Sequence, residues 1–206
     1  MRREDWIGAA RDALVGTGID GVKVDRLARE MKVTRGSFYW HFEDFSDLCD
    51  ALLHDWESGN QAEIADIRIR WSRSGPNLVD VFAIWVDEQS DFLAFDTAIR
   101  VWGRKSPAVH AATRRIDDAW IALLKEIFVV EGYSDLDSFV RARVTYFTQI
   151  GYYALAIDED REERLALAPA YYRALVGKEP DDRLDALVGG NAAPRRKRSA
   201  KSTASA

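Results

Sequence analysis

The chain has 206 residues, with 29 Lys and Arg against 34 Asp and Glu and a formal net charge of −5. That length allows one domain or two small ones, and a 47% hydrophobic share is enough to bury a sizeable core. The single cysteine, Cys49, excludes an intrachain disulfide framework and argues against a cysteine-based zinc site. No run of about 18 apolar residues occurs, so no membrane-spanning helix is expected. The N-terminus carries acids early and has no uninterrupted apolar core, unlike a secretory leader. A cytoplasmic protein is expected. The net acidity argues against nucleic acid as a partner, until the charge is divided by segment.

Between Val22 and Phe42 five basic residues, Lys23, Arg26, Arg29, Lys32 and Arg35, face only Asp25 and Glu30, a local charge of +3. The stretch Gly189–Ala206 holds Arg195, Arg196, Lys197, Arg198 and Lys201 with no acid, and residues 1–188 therefore carry −10. Two short basic segments thus flank an acidic body. The final stretch, rich in Ala, Ser, Gly and Pro, reads as a disordered basic tail over 189–206 that can attract phosphate without specifying a sequence.

Apolar residues recur at helical spacing along nearly the whole chain and strand-like alternation is scarce, so the expected class is all-α. A first helix is expected from about Glu4 to Val15, ended by Gly16 and Gly18. A short helix over about Val24–Met31 follows. A third begins after Thr34, a good N-cap, and buries Phe38 and Phe42. Asp44 caps a fourth, which carries Leu48, Leu52 and Trp56 inward and continues to about Trp71. After the break at Ser72–Pro76, helices are expected at about Asn77–Gln89 and Phe95–Arg104. Ser106 and Pro107 read as N-cap and first helical position of a seventh helix, which runs to about Val130. Ser134 with Asp137 resembles a capping box opening an eighth, to about Ile157. A last helix covers about Glu162–Val176, with Pro169 kinking or restarting it.

The informative segment is Val24–Phe42, VDRLAREMKVTRGSFYWHF. Two short helices joined by a tight turn, basic outward and apolar inward, describe a helix-turn-helix. Such a unit places the start of its second helix against base edges in the major groove, with its N–H groups near phosphate. Arg35 is placed to donate to guanine O6 and N7, and Ser37 to bond a base edge. Gly36 permits close backbone approach. Tyr39 and His41 carry polar tips suited to phosphate.

The stretch GIDGVKVDRLAREMKVTRGSFYWHFEDFSDL resembles the N-terminal domain of the TetR family of bacterial transcriptional regulators. Tyr39, Trp40, His41 and Phe42 form its most specific signature, and the motif covers about residues 4–56. The resemblance implies base or adjacent phosphate contacts for Thr34, Arg35, Gly36 and Ser37, phosphate contacts for Tyr39 and His41, and a core role for Phe38 and Phe42. Three positions depart from the pattern. Lys23 replaces the usual Ser or Thr cap and can still reach phosphate. Lys32 replaces the usual turn glycine, which requires a positive φ. Phe45 replaces a lysine, removing one phosphate contact. Trp40 either touches the DNA backbone or a thymine methyl, or packs on the first helix.

The resemblance divides the chain into a three-helix helix-turn-helix domain (1–45), a larger helical ligand-binding and dimerisation domain (46–188) and the tail. It implies a regulator, by default a repressor, that releases a near-palindromic double-stranded operator when a small molecule binds. Aromatic residues are abundant in the larger part. Trp56, Phe82, Trp85, Gln89, Phe92, Trp102, Trp120, Tyr146 and Ile150 are the candidate pocket for an apolar or aromatic effector, and the same residues packed solid would instead be core. Asp87, Glu88, Asp91 and Asp96 lie among them. Facing the pocket they would favour a cation; otherwise they face water.

The eighth helix shows two apolar stripes, one of Phe139, Tyr146, Ile150, Tyr153 and Ile157, the other of Val140, Val144, Phe147, Gly151 and Ala154. A helix apolar on two faces must bury both, so the second stripe is the candidate homodimer interface. His41, His54 and His110 are far apart. No phosphate loop, catalytic triad order or metal spacing occurs, so neither an enzyme nor a bound cofactor or metal is expected. The alternative is a constitutive DNA- or partner-binding protein whose aromatics fill a solid core.

Overall fold

The computed structural model describes residues 1–87, 90–157 and 159–189, with only the backbone at 87, 90 and 91. Among the described residues the secondary structure is helical throughout, with no strand. Gln89 and the basic tail beyond Gly189 lie outside the described residues.

The head is built from α1 (Arg3–Thr17), a 3-10 turn (Ile19–Gly21), α2 (Val24–Glu30), α3 (Arg35–Phe38) and the start of α4 (Phe45–Ser74). Its core forms around Trp6 and Phe38, both fully buried and meeting edge to face at 5.3 Å, with Phe42 stacked on Phe38 at 5.2 Å. Ala10, Leu14, Leu27, Leu48 and Leu52 complete it from α1, α2 and α4. α3 is far shorter than a third helix running through Phe42 would be; the backbone turns at Tyr39–His41. Thr34 occupies the N-cap without a side-chain cap bond, whereas Asp44 accepts from the Asp47 N–H as expected. α1 runs through Gly16 and stops at Gly18, whose φ is +71°.

The turn between α2 and α3 explains the lysine at 32. The Lys32 N–H bonds the Arg29 carbonyl and the Val33 N–H bonds the Ala28 carbonyl, the paired bonds of a Schellman ending, with Lys32 at φ +56°. The end of α7 makes the same pair of bonds from Gly132 and Tyr133, there with glycine at φ +89°.

The body comprises α4, α5 (Leu78–Asp87), α6 (Ser90–Gly103), α7 (Pro107–Val130), α8 (Asp135–Ala154), α9 (Arg161–Val176) and α10 (Asp182–Gly189). At 1.5 Å per residue the 30-residue α4 is about 45 Å long, and it belongs to both halves: Leu48 and Leu52 pack in the head, Trp56, Ile67 and Trp71 in the body. α7 lies along α6 and α8, and α1 of the head rests on α6.

Several expected boundaries move. Helix α6 starts at Ser90 rather than Phe95, and α8 stops at Ala154. Helix α9 is continuous through Pro169 and opens with a reciprocal capping box, Asp160 accepting from the Glu163 N–H and Glu163 from the Asp160 N–H. Ser134 does accept from the Asp137 N–H, but Asp137 takes the serine hydroxyl rather than its backbone N–H, so the box is not reciprocal. Helix α10, absent from the sequence reading, docks on α5 and α9 with Leu184 fully buried.

Candidate nucleic-acid interface and body cavities

Phe38 and Phe42 turn inward, so the residues between and before them turn out. Lys23, Thr34, Arg35, Gly36, Tyr39 and Trp40 are exposed, and Ser37 and His41 are half-buried. The eight residues share one surface built by the N-terminus of α2, the α2–α3 turn and α3. Trp40 does not pack on α1: its side chain is 87% exposed, a large ring held out to solvent. Arg35 is already oriented. Its Nη2 donates to the Tyr39 hydroxyl at 3.1 Å, its Nε lies 3.5 Å from Asp25 Oδ1, and its guanidinium lies 5.8 Å from the Tyr39 ring centroid. The Tyr39 bond first and the Asp25 charge second hold its pKa above the ordinary value, so it stays charged. Arg26 pairs with Glu30 at 2.8 Å, which removes one acid from the face.

In the body the candidate pocket residues divide. Trp85, Phe92, Trp120, Tyr146 and Ile150 surround a void of about 20 Å³ between α4, α5, α6, α7 and α8. Phe82 and Trp85 line a cleft of about 300 Å³ between α5, α8 and α9. Trp102 faces elsewhere, into a groove of about 740 Å³ between the end of α1, α6 and the end of α8. Trp56 is fully buried, its indole N–H donating to Asp96 Oδ1 at 3.0 Å.

A polar network crosses the aromatic core, and two of its members, Asn60 and Arg100, escaped the sequence reading. Asp96, expected to face either a pocket or water, is 3% exposed and also accepts from Arg100 Nε at 2.7 Å. Arg100 further donates to Asp117 and to the Tyr146 hydroxyl, which itself donates to Asp117 at 2.8 Å. Asp117 is thus a member of the network. Burial opposes the charge on Arg100, but Asp96, Tyr146 and Asp117 outweigh it and raise its pKa. Burial, relieved in part by Arg100, raises that of Tyr146. Asn60 bridges two tryptophans, donating to the Trp56 carbonyl and accepting from Trp120 Nε1 at 3.1 Å. The signal lay in spacing: Trp56, Asn60, Glu63, Ile67 and Trp71 follow one inward stripe of α4.

On α8 the inward face carries Ser138, Ala142, Thr145 and Tyr146. Phe139, expected on the stripe with Tyr146, is instead exposed alongside Val140, Val144 and Phe147, each 40–52% open, with Arg143 lying over both phenylalanine rings. Gly151 is half-buried and Ala154 exposed at the C-terminal end. Among the described residues, no three His, Cys, Asp or Glu side chains are grouped to hold a metal ion, and no helix is long and apolar enough to cross a membrane.

A three-helix head with an outward-facing helix-turn-helix is joined by one long helix to a larger helical body. The model for bacterial regulatory proteins of the tetR family matches residues 7–52. The tetracycline repressor class G of Vibrio anguillarum is 31% identical over 108 residues, 52% of this chain and 45% of that protein. The regulator SrpR of Pseudomonas putida is 37% identical over 51 residues, 25% of this chain and 24% of that one. These matches span less than half the length of either relative. The fold extends further: a transcriptional regulator of Rhodococcus sp. Rha1 superposes over 92% of this chain and 95% of its own, with TM-score 0.61 and 18% identity. The multidrug binding protein EbrR, complexed with malachite green, superposes over 87% of this chain and 99% of its own, with TM-score 0.62 and 20% identity. Residues 7–52 are thus similar to the N-terminal part of tetR-family regulatory proteins, and the rest of the chain is similar to the superposed regulators in fold alone.

Proposed function

We propose that this protein is a ligand-responsive transcriptional regulator of the cytoplasm, a homodimeric repressor that leaves a near-palindromic operator when a small molecule binds its body. The observation that carries the reading is the outward surface of Lys23, Thr34, Arg35, Gly36, Ser37, Tyr39, Trp40 and His41 over a buried Phe38–Phe42 pair. Arg35 reads a base edge, while Lys23, Tyr39 and His41 hold phosphates. Residues 1–45 act as the head and 46–188 as the body. The apolar face of Val140, Val144, Phe147, Gly151 and Ala154 pairs with its copy across a twofold axis. Two α3 helices then enter successive major grooves, about 34–36 Å apart.

Effector control is supported by the direct seating of α1 on α6, which gives the body a mechanical path to the head. A ligand acts only to the extent that it favours one arrangement of the heads over the other. The constitutive alternative draws on the void of only about 20 Å³ at the centre of the aromatic cluster. The cleft of about 300 Å³ beside it, within the range of small-molecule sites, favours ligand control. Selection of bound sequences from a random duplex pool tests the reading. A twofold-related consensus is expected, and binding without sequence preference would end it.

A further inference from the structure

The central void has an unusual lining. Its walls are aromatic (Trp85, Phe92, Trp120 and Tyr146), yet the carboxylate of Glu63 enters it from α4 with Oε2 fully enclosed and no hydrogen-bond partner. Gln149, from α8 on the opposite side, likewise encloses an amide Nε2 with no partner. Around the void Asp96, Arg100, Asp117, Tyr146, Asn60, Trp56 and Trp120 bond one another, and the other buried unpartnered atoms among the described residues are the indole nitrogens of Trp6 and Trp71, neither of which lines the void. A buried carboxylate oxygen without a donor costs more stability than an unpaired indole N–H, because it carries charge when ionised.

The charge is unbalanced in the same sense. Glu63, Asp96 and Asp117 are three acids about one cation, Arg100, and Arg100 spends its donors on Asp96, Asp117 and Tyr146. None reaches Glu63. The neighbouring cleft of about 300 Å³ shares Trp85 and Gln149 with the void, so those two side chains are the partition between them. A swing of Gln149, whose Nε2 is held by no bond, joins cleft and void into one chamber with an apolar mouth and a carboxylate floor.

We propose that this chamber binds an organic cation, an aromatic or apolar body carrying a protonated amine or quaternary nitrogen, with Glu63 as the counter-ion and Trp85 and Trp120 against the cation and its rings. The cation supplies the missing charge, and the aromatic faces stabilise it further once it is desolvated. An anion finds a net negative site, and a neutral analogue leaves Glu63 unpaired. This rests on reading the body as effector-binding, but the binding step is tested without DNA.

The test titrates the full-length protein at pH 8, following tryptophan fluorescence, with three triarylmethane probes: cationic crystal violet, its neutral leuco form and a sulfonated anionic dye. The cation is expected to bind at least tenfold tighter than the neutral form, and the anion not to bind. Glu63→Gln is expected to erase the preference for the cation while leaving affinity for the neutral form within twofold. The charge comparison on the unaltered protein needs no variant to fold. Equal affinity for cation and neutral form, unchanged cation affinity in Glu63→Gln, or no binding of any probe overturns the proposal. If the cation binds through Glu63 but leaves DNA affinity unchanged, the site stands and effector control fails. If DNA is released only by a neutral or anionic compound, effector control stands and the cation site falls.

Discussion

The guanidinium of Arg11 lies 4.5 Å from the centroid of the Phe95 ring, so a cation on α1 of the head covers an aromatic side chain buried in α6 of the body. A second link, Lys105 Nζ to Asp20 Oδ2 at 2.6 Å, joins the end of α6 to the 3-10 turn. That pair is exposed on both sides and adds little, whereas the ring contact is shielded. A double-mutant cycle of Arg11→Met and Phe95→Leu by chemical denaturation is expected to give a coupling of about 0.5–1 kcal/mol. Strict additivity would remove the contact as a carrier of head–body communication.

Lys32 stands at φ +56° where the matching turn after α7 has Gly132. A side chain in the left-handed region costs about 1 kcal/mol, so Lys32→Gly is expected to raise the unfolding free energy by roughly that amount. The same change removes an exposed cation from the turn beside the proposed DNA-binding surface, so DNA affinity should fall and its salt dependence flatten. A stability gain without the affinity loss would mean that Lys32 touches no phosphate.

These two sites mark how far the sequence could be read. The strained turn was legible because a lysine stood where the chain reversal needs glycine, and the head was legible because its motif is local and contiguous. Arg11–Phe95 joins residues far apart in the chain, and no local pattern announces it. The aromatic spacing announced a body core but not how its aromatics divide between void, cleft and groove, because orientation about a helix axis is set by neighbours from α5, α8 and α9. Trp102 is the clearest case: it shares helical spacing with Phe95 and Ile99, yet opens toward α1. Helix α10 was missed because it is only eight residues long, too short for its apolar spacing to stand out, and Leu184 is buried by docking on α5 and α9.

Arg35 binds Asp25 and Tyr39 before any DNA arrives. Arg35→Ala is expected to relax preference at a single base position by about 1–3 kcal/mol, read from affinities for operator variants. A uniform loss over all sequences would assign it to phosphate. Asp25→Asn should act oppositely. It frees the guanidinium from a competing carboxylate and makes the face more positive, so affinity should rise several-fold at low salt. An unchanged or weaker complex would mean that Asp25 positions Arg35 instead of competing for it.

Phe147 is half exposed on α8, in line with Val140 and Val144. Phe147→Asp puts a charge at the centre of that face. If the face pairs with its copy, light scattering at micromolar protein should change from dimer to monomer, and binding to a palindromic site should weaken far more than binding to an isolated half-site. A dimer that survives the substitution places the interface elsewhere.

Glu63 gives a pH-dependent prediction with a definite sign. Burial first, then the charges of Asp96 on α6 and Asp66 on α4, raise its pKa from 4.5 to about 7. The other titratable groups that line the same void are Asp96, Arg100, which is already bound to Asp96 and Asp117, and Tyr146 and Tyr153 on α8. The folded protein therefore holds this proton more tightly than the unfolded chain. Ionising Glu63 costs stability progressively as pH rises from about 4.5, and the cost is complete above about 7. The shift sets a ceiling of about 3 kcal/mol, reduced by the solvent contact the side chain retains. Glu63→Gln removes the titration, so it should stabilise the protein at pH 8, with the gain shrinking toward zero near pH 4.5. Denaturation of both proteins across that range measures the difference directly. A difference independent of pH would mean that Glu63 does not titrate there. A larger gain at low pH would mean that its carboxylate is favoured by a partner, contrary to the unpaired Oε2.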